Sequence, residues 1–261
     1  MKLFDDPKPV LPPGIDFRCC DAAALVAEYA GKGASLVFCD APWGGYSQRP
    51  GVAAPDLTFP TLPLETIAEH IAGAYRATAS DARLVMWHCW PLVIEAIAVM
   101  RRERRKGKPP TMTALDILGR WTEITGGAWE KDRDEPGVGH HWLGNNEPVI
   151  VAKKGSPYTD RTVILRNTFA SEPGGHSEKP VKWQADMIRR WVAPGGGVLD
   201  LYGGHGSVAV AVMEAGEGRW YAGAEVFPKR HADGFGYIGL EYLRVLRERP
   251  KEQVPLFGAT G

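Results

Sequence analysis

The chain has 261 residues, 44% of them hydrophobic, and carries 31 basic and 31 acidic side chains. That length supports one sizeable core. The zero formal charge excludes bulk electrostatics as a grip on a polyanion, so any nucleic-acid contact has to come from a local patch.

The first residues, "MKLFDDPKPVLPPG", hold no apolar signal core, and no apolar run in the chain is long enough to cross a bilayer. The expectation is a cytoplasmic protein. "IDFRCC" (15–20) reads as a short strand and "DAAALVAEYAGKG" as a helix ending on Gly31 or Gly33. "SLVFCD" (35–40) is a continuous apolar run suited to a parallel strand buried on both faces. A polar, proline-rich loop follows to about Leu62. "PLETIAEHIAGAYRATAS" has helical periodicity, with Leu64, Ile67, Ile71 and Tyr75 on one face. "ARLVMWHCW" is a second buried strand and "PLVIEAIAVMRRERR" a further helix.

From Lys106 to Gly139 the pattern is irregular, and Ser156–His176 is irregular again. Between them "HWLGNNEPVIVAKKG" reads as a hairpin with its turn at "GNN". "PVKWQADMIRRWVAPGG" is a helix with Pro at its start and Pro-Gly after its end. "GGVLDLYGGHGSVAVAVMEAGEGRWYAGAEV" reads as strand, glycine-rich turn, helix and strand, and a long helix follows to about Arg249. Strands alternating with helices predict a doubly wound α/β sheet, mostly parallel with one antiparallel hairpin strand. The irregular segments are too long for ordinary connections. The four cysteines, Cys19, Cys20, Cys39 and Cys89, show neither a CxxC pair nor a His/Cys zinc spacing. Reduced, largely buried thiols and no metal are expected.

The glycine-rich turn places Asp200 at the end of a strand, Gly203, Gly204 and Gly206 in the turn, and Ser207 at the head of the next helix. Glycines let the backbone curve tightly and approach a ligand. Glu225 ends the following strand, where an acid typically grips ribose hydroxyls. The spacing is that of an adenosine-type cofactor site. The GxGxxG pattern of dinucleotide sites is missing, because Ser207, Val208 and Ala209 follow Gly206. An acid at Asp200 repels a pyrophosphate and suits a cofactor with a positive charge.

Two motifs resemble those of the AdoMet-dependent amino-methyltransferases that act on exocyclic amines of nucleobases. The group's cofactor motif, Asp-x-Phe-x-Gly-x-Gly-(Ser/Thr), is matched by Asp200, Tyr202, Gly204, Gly206 and Ser207. Its catalytic motif, (Asp/Asn/Ser)-Pro-Pro-(Tyr/Phe/Trp), is matched by Asp40, Pro42 and Trp43, with Ala41 where a second proline is usual. Catalytic motif before cofactor motif is the β-class arrangement. The Trp form, with "HSEKP" (176–180) and "NEPVIVAKKG", looks most like the adenine-N6 branch. The resemblance implies a single methyltransferase domain over 1–261, with recognition segments inserted at about 45–62, 102–141 and 156–178. It implies S-adenosylmethionine as cofactor, DNA as substrate and a bacterial or phage source. Cytosine-N4 methylation, RNA as substrate and a non-catalytic binding subunit are the alternatives.

The resemblance also assigns roles. Asp40 and the Ala41 carbonyl accept the two amine hydrogens, Pro42 stiffens the loop, and Trp43 stacks on the target base. Asp21, with Cys20 beside it, lies where the group keeps an acid near the cofactor's adenine amine; a plain helix N-cap is the other reading. Lys179 is placed to pair with the cofactor's carboxylate, or to stay solvated.

"RRERRKGK" is the densest basic cluster. Its Arg101, Arg102, Arg104, Arg105, Lys106 and Lys108 read either as phosphate contacts or as a solvated helix end. Arg161 and Arg166 are candidates for base or phosphate contact. Trp121, Trp129 and Trp142 fit core or base-stacking equally. In the tail, Gln253, Leu256 and Phe257 resemble the short peptide by which bacterial replication proteins dock on the sliding clamp.

Overall fold

The computed structural model describes residues 10–42, 62–87, 117–131, 146–171 and 179–248. Trp43, Cys89, Trp142, His176, the basic cluster at 101–108 with its expected helix, and the tail residues Gln253, Leu256 and Phe257 lie outside the described residues. The elements in chain order are β1 (Ile15–Arg18), α1 (Ala22–Tyr29), β2 (Ala34–Cys39), α2 (Leu64–Ala77), β3 (Ala82–Trp87), β4 (Thr122–Lys131), β5 (Asn146–Lys154), β6 (Thr168–Ser171), α3 (Val181–Trp191), β7 (Gly197–Asp200), α4 (Ser207–Ala215), β8 (Trp220–Ala224) and α5 (Pro228–Glu248).

The strands form one sheet in the order β1-β8-β7-β2-β3-β5-β4-β6. All neighbouring pairs are parallel except those of β5, which runs against both β3 and β4. The expected mostly parallel sheet with one antiparallel strand is therefore what the chain forms. Its central strands are apolar on both faces. Val37, Cys39, Leu84, Met86 and Leu199 pack under α1 and α2, while Leu36, Phe38, Val85, Trp87 and Val198 pack under α3, α4 and Ile238 of α5. Alternation along each strand sends successive side chains to the two layers.

The segments read as irregular hold two strands. β4 lies within the first and β6 within the second; β5 pairs antiparallel with "TEITGGAWEK", and the "HWL" arm of the expected hairpin lies outside the described residues. β4 escapes a periodicity reading because Gly126 and Gly127 interrupt it. A Cβ on Gly127 would sit 2.5 Å from the Asn167 carbonyl oxygen of the chain entering β6. Glycine there permits a close backbone approach that only the tertiary fold creates.

The strand order places the functional end. β7 lies between β8 and β2, so the chain winds outward in both directions from the β7–β2 pair. Ligands of open α/β sheets bind at such a switch point, beyond the carboxyl ends of the strands. Asp40 follows β2 and Asp200 ends β7, with Phe38 and Asp200 in register.

Candidate active site

The turn after β7 is held by carboxylates from beneath and beside it. Asp200 is buried; its Oδ2 accepts from the Tyr221 hydroxyl at 3.1 Å and its Oδ1 from the Tyr202 N–H at 3.3 Å. The Tyr221 ring fits because residue 223 is glycine, where a Cβ would meet the Tyr221 oxygen at 1.9 Å. Burial, with Asp40 and Glu225 adding repulsion, pushes the Asp200 carboxyl up to about 7. Glu225 joins the strands around the turn: Oε2 accepts from the Gly204 N–H at 3.0 Å, Oε1 from the Phe227 N–H at 2.9 Å, and its own N–H donates to the Arg18 carbonyl. Gly204 and Gly206 both have positive φ, +53° and +83°. A Cβ on Gly206 would lie 2.7 Å from Ile238, whereas one on Gly204 would meet nothing within 4 Å. The turn is thus packed on its inner side and open over Gly204, the side on which a ligand can approach backbone. Gly206 caps α4, and Ser207 opens it.

The β2 side is built by ion pairs between residues distant in sequence. Lys179 Nζ lies 2.9 Å from Asp40 Oδ2 and 2.9 Å from Glu147 Oε2. The lysine is buried, while the two carboxylates keep part of their surface exposed. Burial alone lowers the ammonium pKa, but Asp40 and Glu147 outweigh it and hold the group above the usual lysine range. The expected pairing of Lys179 with a cofactor carboxylate stands beside these two protein partners, Asp40 and Glu147. Ala41 is buried and its N–H faces the sulfur of the fully buried Cys39. The Pro42 carbonyl accepts from the Leu62 N–H at 3.1 Å, so the chain leaves and rejoins the site at one point.

Asp21 follows β1 and does cap α1: its Oδ1 accepts from the Ala23 N–H at 2.7 Å. The same oxygen lies 3.5 Å from His70 Nε2. His70 Nδ1 is 2.7 Å from the Tyr202 hydroxyl. Cys20 beside Asp21 is half-buried, and burial raises its thiol pKa.

Glu147 and His70 were missed in the sequence. Glu147 is one acid in a strand whose partner stands 32 positions away at Lys179. His70 gave a faint signal, a histidine on the apolar stripe of α2 between Ile67 and Ile71. Trp121 and Trp129 are core, both buried. Arg166 is exposed, and its carbonyl accepts from Trp183 Nε1 near the head of α3. Arg161 is exposed at the other end of the sheet, beside Asp160, whose carbonyl accepts from Arg190 near the end of α3. The fold does not bring Arg161 to the Asp40–Asp200 edge. Among the described residues no cluster of His, Cys, Asp or Glu could hold a metal ion, and no helix is long and apolar enough to cross a membrane.

An open sheet with an acid-bearing glycine turn at its switch point defines a nucleotide-type binding fold. No protein-family model and no curated protein matches the sequence, but solved structures share the architecture. M1.HpyAVI, determined with SAM, aligns at a TM-score of 0.56 over 83% of this chain and 95% of its own, at 13% identity. TTHA0409 from Thermus thermophilus, a proposed DNA modification methylase complexed with S-adenosyl-L-methionine, aligns at 0.57 with 17% identity over 87% of this chain and 93% of its own. PvuII DNA methyltransferase, which is cytosine-N4-specific, aligns at 0.58 with 14% identity over 92% and 95%. The fold is the Rossmann-like methyltransferase fold.

Proposed function

We propose that the protein transfers a methyl group from S-adenosylmethionine to the exocyclic N6 amine of adenine in DNA. The observation that carries this reading is the meeting of two acid-bearing strand ends at one switch point, Asp40 after β2 and Asp200 at the end of β7.

The residues at the β7 side fit the cofactor. Open space over Gly204 admits a ligand against backbone. Glu225 is placed for ribose hydroxyls, Asp21 with Cys20 for the adenine ring, and Tyr202, Gly203, Gly206 and Ser207 complete the cradle. Burial, with Asp40 and Glu225 adding repulsion, pushes the Asp200 carboxyl up to about 7, and a positive charge nearby would favour its ionised form. The cofactor supplies an electrophilic methyl on a positively charged sulfonium.

The remaining chemistry belongs to the chain. An adenine amine is a weak nucleophile because its lone pair is delocalised into the ring. Asp40 and the Ala41 carbonyl accept its two hydrogens, favour pyramidal nitrogen and aim the lone pair. Lys179 holds Asp40 in place for that task through their 2.9 Å ion pair. Asp40 would face the positive charge that develops on the amine when it accepts a methyl group, with Glu147 close by across Lys179. The amine then sheds one proton through the Asp40 carboxylate to solvent. Trp43 stacks on the base, which offsets part of the cost of flipping it from a duplex, a few kcal/mol. Arg101, Arg102, Arg104, Arg105, Lys106, Lys108 and Arg166 provide phosphate contacts.

Incubation with DNA and methyl-labelled S-adenosylmethionine, followed by digestion to nucleosides, tests the reading. Label is expected in N6-methyladenine; its absence while the cofactor binds overturns the assignment. One observation favours a second reading, cytosine-N4 methylation: the structural neighbour PvuII methyltransferase has that specificity. The same clamp suits either amine, and the same digest separates them.

A further inference from the structure

We infer that His70 is a positioning residue for the cofactor, acting through the Tyr202 hydroxyl and the Asp21 carboxylate. The inference rests on the proposed S-adenosylmethionine site and extends it to a helix outside both motifs.

The geometry sets the chemistry of the contact. His70 is 5% exposed on α2, among Ile67, Ile71 and Ala74. A buried imidazole in such a stripe needs its ring nitrogens satisfied. Its Nε2 faces Asp21 Oδ1 at 3.5 Å. Nδ1 shares a hydrogen bond of 2.7 Å with the Tyr202 hydroxyl. Burial drives the Tyr202 phenol pKa upward, so that hydroxyl keeps its proton. The relay is thus one hydrogen bond, Tyr202 to His70, and one longer contact, His70 to Asp21.

Its ends lie on the two loops proposed to hold the cofactor. Tyr202 sits inside the glycine turn after β7, and Asp21 in the loop after β1. These strands are not neighbours; β8 lies between them. Glu225 joins the loops through backbone at β8. His70 joins them a second time, from the helix layer. The helix that carries it begins just after Leu62, whose N–H is bonded to the Pro42 carbonyl. One helix therefore ties the cofactor loops to the amine clamp. With the relay cut, Tyr202 and Asp21 lose their common support, and cofactor affinity falls while the amine chemistry stays intact.

The test is calorimetric titration of the full chain with S-adenosylmethionine, joined to steady-state kinetics on DNA. His70→Leu and Tyr202→Phe are each expected to weaken cofactor binding about tenfold, the scale of one buried hydrogen bond. For His70→Leu, the kcat at saturating cofactor is expected to stay within about twofold of wild type. The double variant should bind no more weakly than the worse single variant, because both cut one link. His70→Asn, which puts an amide near the Nδ1 position, should recover most of the affinity. A lowered melting temperature with unchanged cofactor affinity overturns the inference and makes His70 a structural residue. Fully additive losses in the double variant overturn it too. Tyr202→Phe leaves the imidazole in place, so it decides the matter if His70→Leu fails to fold. Wild-type protein that gives no heat with S-adenosylmethionine overturns the parent reading and this inference with it; equal binding by wild type and variants overturns this inference alone.

Discussion

The two halves of the site are made in different ways. On the β7 side, the cradle is local: Asp200, Tyr202, Gly203, Gly204 and Gly206 lie within seven residues, and Glu225 closes it with bonds to backbone N–H groups. On the β2 side, Asp40 pairs with Lys179 from the head of α3, which also pairs with Glu147 of β5. A site for an invariant ligand can be built from backbone and short-range geometry. Under the proposed reaction, the half that faces growing charge on the substrate is built from paired charges that only the folded sheet brings together. The first kind should fail through loss of shape, the second through loss of charge.

The largest expected effect breaks the charged half. Asp40→Asn keeps the shape of the clamp and removes its charge. The kcat is expected to fall about 10²–10³-fold, the loss seen when one fixed group facing developing charge is removed. Cofactor affinity, read by calorimetry, should stay within about threefold of wild type. An equal collapse of cofactor binding would show that the halves are not separable. Lys179→Met comes next. It leaves Asp40 and Glu147 facing each other without their shared cation. Loss of a hydrogen-bonded charge costs about 1.5–3 kcal/mol, read as a lower melting temperature. The kcat should fall about 10-fold or more, because Asp40 loses the partner that positions it.

The same contrast explains what could be read from the sequence. The apolar runs of β2, β3 and β7, the glycine turn and the terminal acid of β8 are contiguous signals, and each element lies where its pattern placed it. The strand β4 was hidden because two glycines interrupt its pattern, and one of them, Gly127, serves a contact with the Asn167 backbone. Lys179 was visible only as part of "HSEKP"; its partners depend on β5 running antiparallel beside β3. His70 looked like one more residue of a buried stripe, because its polar contacts are to Tyr202 and Asp21, far away in the chain. Local geometry is written locally, and paired charge is not.

A smaller effect sharpens the cradle side. Burial pushes the Asp200 carboxyl up to about 7 in the fold from its ordinary 3.8. The folded state then binds more protons than the unfolded state between these values, so stability falls as pH rises from about 4 to about 7. Asp200→Asn should abolish that slope in thermal melts. A bound cation favours the carboxylate, so cofactor binding should release a proton. Affinity is expected to be about tenfold tighter at pH 8 than at pH 6, as follows for one group titrating near 7. Calorimetry of the wild type and Asp200→Asn at both pH values checks this. A wild-type affinity that does not change with pH would place the cofactor's charge elsewhere.

Ala41→Pro should give the smallest change in turnover. The chain departs here from the double proline of the motif it resembles, and the structure shows what the departure supplies. The Ala41 N–H faces the Cys39 sulfur, whose thiol is held well above its ordinary pKa by burial and by Asp40. A thiol is a weak acceptor, so losing this bond costs little. Proline also adds two carbons where Ala41 is already buried, and overpacking of that kind costs about 1–3 kcal/mol. The carbonyl proposed to accept the amine hydrogen is unaffected by either change. The substitution should therefore lower the melting temperature by several degrees and leave kcat within about twofold. Cys39→Ala in the Ala41→Pro background should return part of the stability, because it removes the sulfur that the proline ring would crowd. A collapse of kcat in Ala41→Pro at unchanged cofactor affinity would mean that the N–H, and not only the carbonyl, aligns the clamp.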